Sequence, residues 1–191
     1  MSPAPNDPFV DWLPQWQFEE RHERFATASP AAVLAAAAAY RPEHDRLVAG
    51  FIAMREWPAR AAAGLGLQSA LSGRSSFGFD DFTLIGQTVD TLVYGLIGRF
   101  WERDYGLRPI RDGEGFRQFA EPGTARLLLG FHAAAESDGT RLSTVTRIHC
   151  PDAQAMARMR PYWLLIRPVS GWIRHRMLAR IAEAASAATA A

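Results

Sequence analysis

Glu20, His22 and Arg24 stand at alternate positions in QWQFEERHERFA, residues 15–26. Side chains two apart on a strand share a face, so an acid, an imidazole and a guanidinium would line up beside Phe18. His22 could give or take a proton near neutral pH, with Glu20 as its partner, while Arg24 holds a carboxylate or an enolate. The plain alternative is a structural ion pair, or polar residues at the open end of the strand.

The segment LSTVTRIHC, residues 142–150, supplies a second set. Period-two alternation turns Leu142, Thr144, Thr146 and Ile148 to one side, and Arg141, Ser143, Arg147 and His149 to the other. Two hydroxyls in an apolar wall suit the orientation of one polar ligand group, although threonine is also an ordinary strand former. Leu127, Leu129 and Phe131 extend the apolar face, and Met159 and Trp163 are placed to close it. Arg99 and Trp101 are read onto the face of Val93 and Ile97, as rim candidates.

A third set lies in RPYWLLIRPVSGWIRHRML, residues 160–178, which carries four arginines and no acid. On a helical wheel Met159, Tyr162, Trp163, Ile166, Ile173 and Met177 share one side, and Arg160, Arg167 and Arg174 recur on a flank. That flank is either the solvated back of a core helix or a contact surface for a membrane or a regulatory partner.

Other chemistry is excluded by what is missing. All 21 basic residues are arginine, so Schiff-base and P-loop lysine chemistry is absent. Histidines 22, 44, 132, 149 and 175 show no close pairing in sequence, and HExxH, CxxC, GxSxG and GxGxxG do not occur. No metal and no cofactor is expected. A formal net charge of +1 argues against nucleic acid as a partner. One cysteine, the lack of a signal-like N-terminus and the lack of a long apolar run fit a soluble, cytoplasmic protein.

These residues need elements to hold them. Four prolines in the first 14 positions make residues 1–15 an extended tail that docks through Phe9, Trp12 and Trp16, with a single domain over 16–191. A strand over 16–26 carries Trp16 on the face of Phe18. Ser29 and Pro30 open a helix through the alanine run to Tyr40. Further helical segments are expected between 43 and 71, followed by the Gly/Ser-rich loop 72–81. FTLIG, TLVYGLIGRFW, TARLLLGFHAAAE and TRLSTVTRIHC read as consecutive strands, the last two joined by a hairpin at SDG. Asp152 caps a final helix interrupted at Pro161, Pro168 and Gly171. The class is α+β, an antiparallel sheet with one face to cover and a long helix available to cover it.

This order resembles the START-like, or SRPBCC, helix-grip superfamily. RHERFATASPAAVLAAA, YGLIGRFW and the long run from FAEPGTARLLLGFHAAAE to SGWIRHRML are similar to an uncharacterised bacterial branch of it. The resemblance implies a curved antiparallel sheet wrapped around the C-terminal helix, with a deep cavity for lipids, sterols, polyketides or aromatic molecules. It implies a binder of an apolar small molecule lined by Phe18, His22, Arg24, Leu127, Leu129, Phe131, Leu142, Thr144, Thr146, Ile148, Met159 and Trp163. The alternative within the superfamily is a cyclase- or aromatase-like enzyme using His22 and Arg24, with Glu20. Where an acid would be sought in the TVT of LSTVTRIHC this chain has Val145.

Overall fold

The structure, a computed structural model, describes residues 7–41, 79–102 and 104–190. The helical segments expected between 43 and 71, and most of loop 72–81, lie outside the described residues. The elements in chain order are β1 (Phe18–Ala26), α1 (Pro30–Ala39), β2 (Thr83–Gln87), β3 (Thr91–Gly98), α2 (Gly113–Gln118), β4 (Ala125–Glu136), β5 (Gly139–His149) and α3 (Ala153–Ala190). The five strands form one antiparallel sheet in the order β1-β5-β4-β3-β2. The α+β class is therefore observed, with a long C-terminal helix packed mainly against β1 and α1.

Local chemistry sets the boundaries. The Ser29 hydroxyl accepts from the Ala32 amide at 3.3 Å, and Pro30 stands at N1, where its missing N–H costs nothing. Ser137 and Asp138 turn β4 into β5. The Asp152 carboxylate accepts from the amides of Ala155 and Gly123, at 2.8 and 2.7 Å, which starts α3 and ties it to the turn before β4. Those backbone donors hold its carboxyl below the usual range.

The interruptions expected in α3 do not occur, and the helix runs unbroken for 38 residues, about 57 Å at 1.5 Å per residue. Pro161 and Pro168 both lie on its exposed side. Ala157 and Leu164, whose carbonyls lose their partners to the two prolines, are exposed as well, so water can satisfy those groups.

The sheet buries both faces. On one, which we call the helix face, Leu92, Tyr94, Leu129, Phe131 and Leu142 pack with Val33, Leu34 and Ala37 of α1 and with Met177, Leu178 and Ile181 of α3. At one end of this face Leu96 and Ile148 pack with Met159 and Trp163. On the other face Val93, Ile97, Leu128 and Val145 are covered by Phe9, Leu13, Trp16 and Phe116. Trp16 thus belongs to the opposite side from Phe18, because the strand starts at Phe18 and the alternation does not extend back to residue 16. Arg99 and Trp101 lie beyond the end of β3, and Trp101 packs with the Leu96 cluster, not with Val93 and Ile97.

The N-terminal segment is built into this second face. Residues 8–12 form turns, with the Trp12 and Leu13 amides both donating to the Phe9 carbonyl. The Phe9 ring lies against Gly130, where a Cβ would overlap it. Arg147, directed away from the helix face as its position predicts, is fully buried beneath the segment. It pairs with Asp7, donates from Nε to Glu19 at 2.7 Å, and stacks 3.7 Å from the Trp16 ring centroid. Two carboxylates and an aromatic face offset the desolvation of this one cation.

Candidate functional site

Strand register builds the site in rows across the helix face. Phe18, Ile148, Leu127 and Leu96 are neighbours in the first row, followed by Glu20, Thr146, Leu129 and Tyr94. His22, Thr144, Phe131 and Leu92 form the third row, and Arg24, Leu142 and Ala133 continue into the fourth. Polar groups are therefore concentrated where the middle rows cross β1 and β5, and apolar ones on β4 and β3. Burial pushes the Tyr94 hydroxyl's pKa up, partly opposed by the charge of Arg41. Val145 points to the tail face, so its position carries no bearing on a group within these rows.

Glu20 is almost fully buried, and its Oε1 lies 2.8 Å from His22 Nε2. The other ring nitrogen of His22, Nδ1, lies 3.1 Å from Nε2 of His175 on α3, with the two rings edge to face at 4.4 Å. One of the two facing nitrogens must bring a proton and the other a lone pair, so while the contact persists the rings hold at most one positive charge between them. The chain Glu20–His22–His175 thus connects a buried carboxylate to an exposed imidazole. His22 and His175, which show no pairing in the sequence, are thus paired by the fold.

Gly171 makes this approach of α3 to β1 feasible. A Cβ there would lie 2.8 Å from Glu20 Oε1 and 3.7 Å from His22 Cε1. The next charged residue along the helix, Arg174, also turns inward. Burial pushes its guanidinium down to about 10, opposed by the charges of Glu20 and Tyr40. Its Nη1 donates weakly to Met177 Sδ at 3.9 Å, and its Nε has no hydrogen-bond partner. Glu20 Oε2 and Thr144 Oγ1 are likewise buried without a partner.

The other expected residues are distributed as follows. Leu129, Phe131, Leu142, Thr144, Thr146, Ile148, Met159 and Trp163 are buried on the helix side, with Phe18 and Leu127 half-buried among them. The Phe18 and Trp163 rings are 5.7 Å apart. Arg24 is exposed and is not brought to Glu20 and His22; the cation beside Glu20 is Arg174.

The expected flank of Arg160, Arg167 and Arg174 is not one surface. The first two are exposed and the third turns inward. The buried stripe of α3 moves around the helix, from Ala155, Met159 and Trp163 to Leu178, Ile181 and Ala185, as its neighbours change from the Leu96 end of the sheet to α1. A constant spacing of seven therefore meets different surroundings in the two halves.

Gly171 and His175 escaped identification as site residues from sequence, and the helical wheel places Arg174 on the outer flank instead of the interior. The available signal was a glycine within one turn of two basic residues on a helix, which carries meaning once the strand opposite is known. Among the described residues no group of three His, Cys, Asp or Glu side chains is arranged to hold a metal ion. Glu20, His22 and His175 do not make such a group, since His22 engages its two neighbours through opposite ring nitrogens. No described helix is long and apolar enough to cross a membrane.

No protein-family model and no curated protein matches the chain. Among solved structures it is similar to the crystal structure of TTHA0849 from Thermus thermophilus, at 11% identity and a TM-score of 0.35, over 90% of this chain and 99% of that one.

Proposed function

We propose that the chain is a START-like, helix-grip protein of the SRPBCC kind that binds an apolar small molecule between the sheet and α3. One observation carries the reading. Glu20 Oε2, Thr144 Oγ1 and Arg174 Nε are buried polar atoms without hydrogen-bond partners, set in or against an otherwise apolar wall. Such atoms are costly in a folded protein unless something satisfies them, and a ligand group is one means of doing so. Oε2 is an acceptor and Nε a donor, so a ligand hydroxyl, able to donate to one and accept from the other, suits them better than a carboxylate that Glu20 would repel. The ligand class is thus a sterol-like, polyketide or phenolic molecule in preference to a free fatty acid.

Displacement of a fluorescent sterol and of a fluorescent fatty acid tests this. The sterol probe should bind more tightly, and Thr144→Val and Glu20→Gln should weaken it several-fold while leaving the fold intact. Wild type that binds neither probe, with no ligand retained in native mass spectrometry, would overturn the reading.

A second reading, an acid–base enzyme of the cyclase type, is favoured by the Glu20–His22–His175 chain. A buried carboxylate connected to an exposed imidazole can return a proton to solvent after each cycle. With Arg24 exposed, Arg174 takes the role of holding an enolate or phenolate. Turnover of a polyketide-like substrate that is lost in His22→Gln, with probe affinity unchanged, would establish this reading over simple binding.

A further inference from the structure

The outer side of α3 carries a surface that interior ligand binding does not use. Leu164 is 65% exposed, Leu165 77% and Val169 39%, and all three lie on the side of the helix turned away from Met159 and Trp163. Pro161 and Pro168 are exposed on the same side. Arg160 and Arg167 are exposed along one border of this apolar strip, and Arg158 is exposed at its start. From residue 153 to residue 182 the sequence contains no Asp or Glu.

We propose that this face docks α3 flat on an anionic membrane surface, with Leu164, Leu165 and Val169 at the acyl boundary and the three arginines at the phosphate level. A helix with an apolar strip, a cationic border and no acid fits that position, because the long arginine stems let the guanidinium groups reach the headgroups while the leucines stay lower. The opposite side is fixed to the sheet by Ala155, Met159 and Trp163, so the face is preformed and docking requires no unfolding.

Charge and shape together favour lipid over an acidic protein. The strip is a convex helix surface, which a bilayer accommodates without matching it. A protein partner would need a groove shaped to two adjacent protruding leucines and acids placed along its rim. The inference is independent of whether the interior holds a ligand.

The test is sedimentation of the whole protein with vesicles of phosphatidylcholine alone, or mixed with an equal part of phosphatidylglycerol, at low and at high salt. Wild type should bind the mixed vesicles at low salt and release as salt rises. Arg160→Ser with Arg167→Ser should weaken binding roughly thirty-fold, from the contribution of two basic residues near an anionic surface. Leu164→Ser with Leu165→Ser should weaken it about tenfold or more, with the thermal unfolding midpoint of both variants close to that of wild type. Arg111→Ser, an exposed arginine elsewhere, serves as the control and should bind as wild type does.

Absence of binding to the mixed vesicles at low salt overturns the proposal. So does a leucine variant that binds as before, or an Arg111→Ser effect equal to that at Arg160 and Arg167, since either would mean attraction without a defined face. Leucine substitutions that change only self-association in sedimentation velocity would assign the strip to a contact between copies, and would overturn it too.

Discussion

His22 Nδ1 and His175 Nε2 meet at 3.1 Å although 153 residues separate them in the chain. The pair is unequal, because His22 also serves the buried Glu20 whereas His175 faces solvent. His22→Ala would leave Glu20 Oε1 buried without its partner and should cost about 1 to 3 kcal/mol, while His175→Ala should cost less than about 1 kcal/mol. Urea unfolding of the two variants measures the difference. Equal losses would mean that the Glu20–His22 contact contributes nothing beyond the exposed one.

Gly171 should break the usual rule for a helix interior. Alanine there gains roughly 1 kcal/mol of helix propensity, but its methyl group would meet Glu20 Oε1 at 2.8 Å. Gly171→Ala should therefore destabilise wild type yet stabilise a Glu20→Ala background. A double-mutant cycle reads the coupling, which should be on the order of 1 kcal/mol or more. Additive effects would show that the helix and strand are not in close contact at this point.

The first residues of the described chain are part of the core. Phe9→Ala removes a fully buried ring and should cost roughly 3 to 5 kcal/mol. Gly130→Ala places a methyl group into that ring's position and should cost about 1 to 3 kcal/mol in wild type, but much less in the Phe9→Ala background. Guanidinium unfolding of the two single variants and the double variant checks both statements. A Phe9→Ala protein as stable as wild type would detach the segment from the fold.

Cys150 should be unreactive in the native protein. Burial, with a smaller contribution from the Asp152 charge, pushes its thiol from 9.0 up to about 12, so little thiolate exists at pH 8. A disulfide reagent should react slowly with folded protein and rapidly in denaturant. Because the unfolded thiol ionises first, its contribution to stability is complete below pH 9 and is lost as pH rises towards 12. Cys150→Ala should therefore flatten the alkaline decline in stability, measured by unfolding at pH 8 and pH 10.5. An unchanged slope would rule out Cys150 as its source.

Much of this architecture was legible in the residues themselves. Period-two alternation placed Leu142, Thr144, Thr146 and Ile148 on one side and Arg147 on the other, and Ser29, Pro30 and Asp152 marked helix starts, because caps and strand faces follow from neighbours a few positions away. Partners across the fold were not legible. The 3.6-residue wheel put Arg174 with Arg160 and Arg167, yet its burial was decided by the path of α3 from the sheet end to α1. The pairing of His22 with His175 depends on Gly171 letting the helix approach β1, and the burial of Arg147 on residues 7–16 folding back across the second face. Local periodicity specifies the direction of a side chain, whereas what that side chain meets is set by long-range packing.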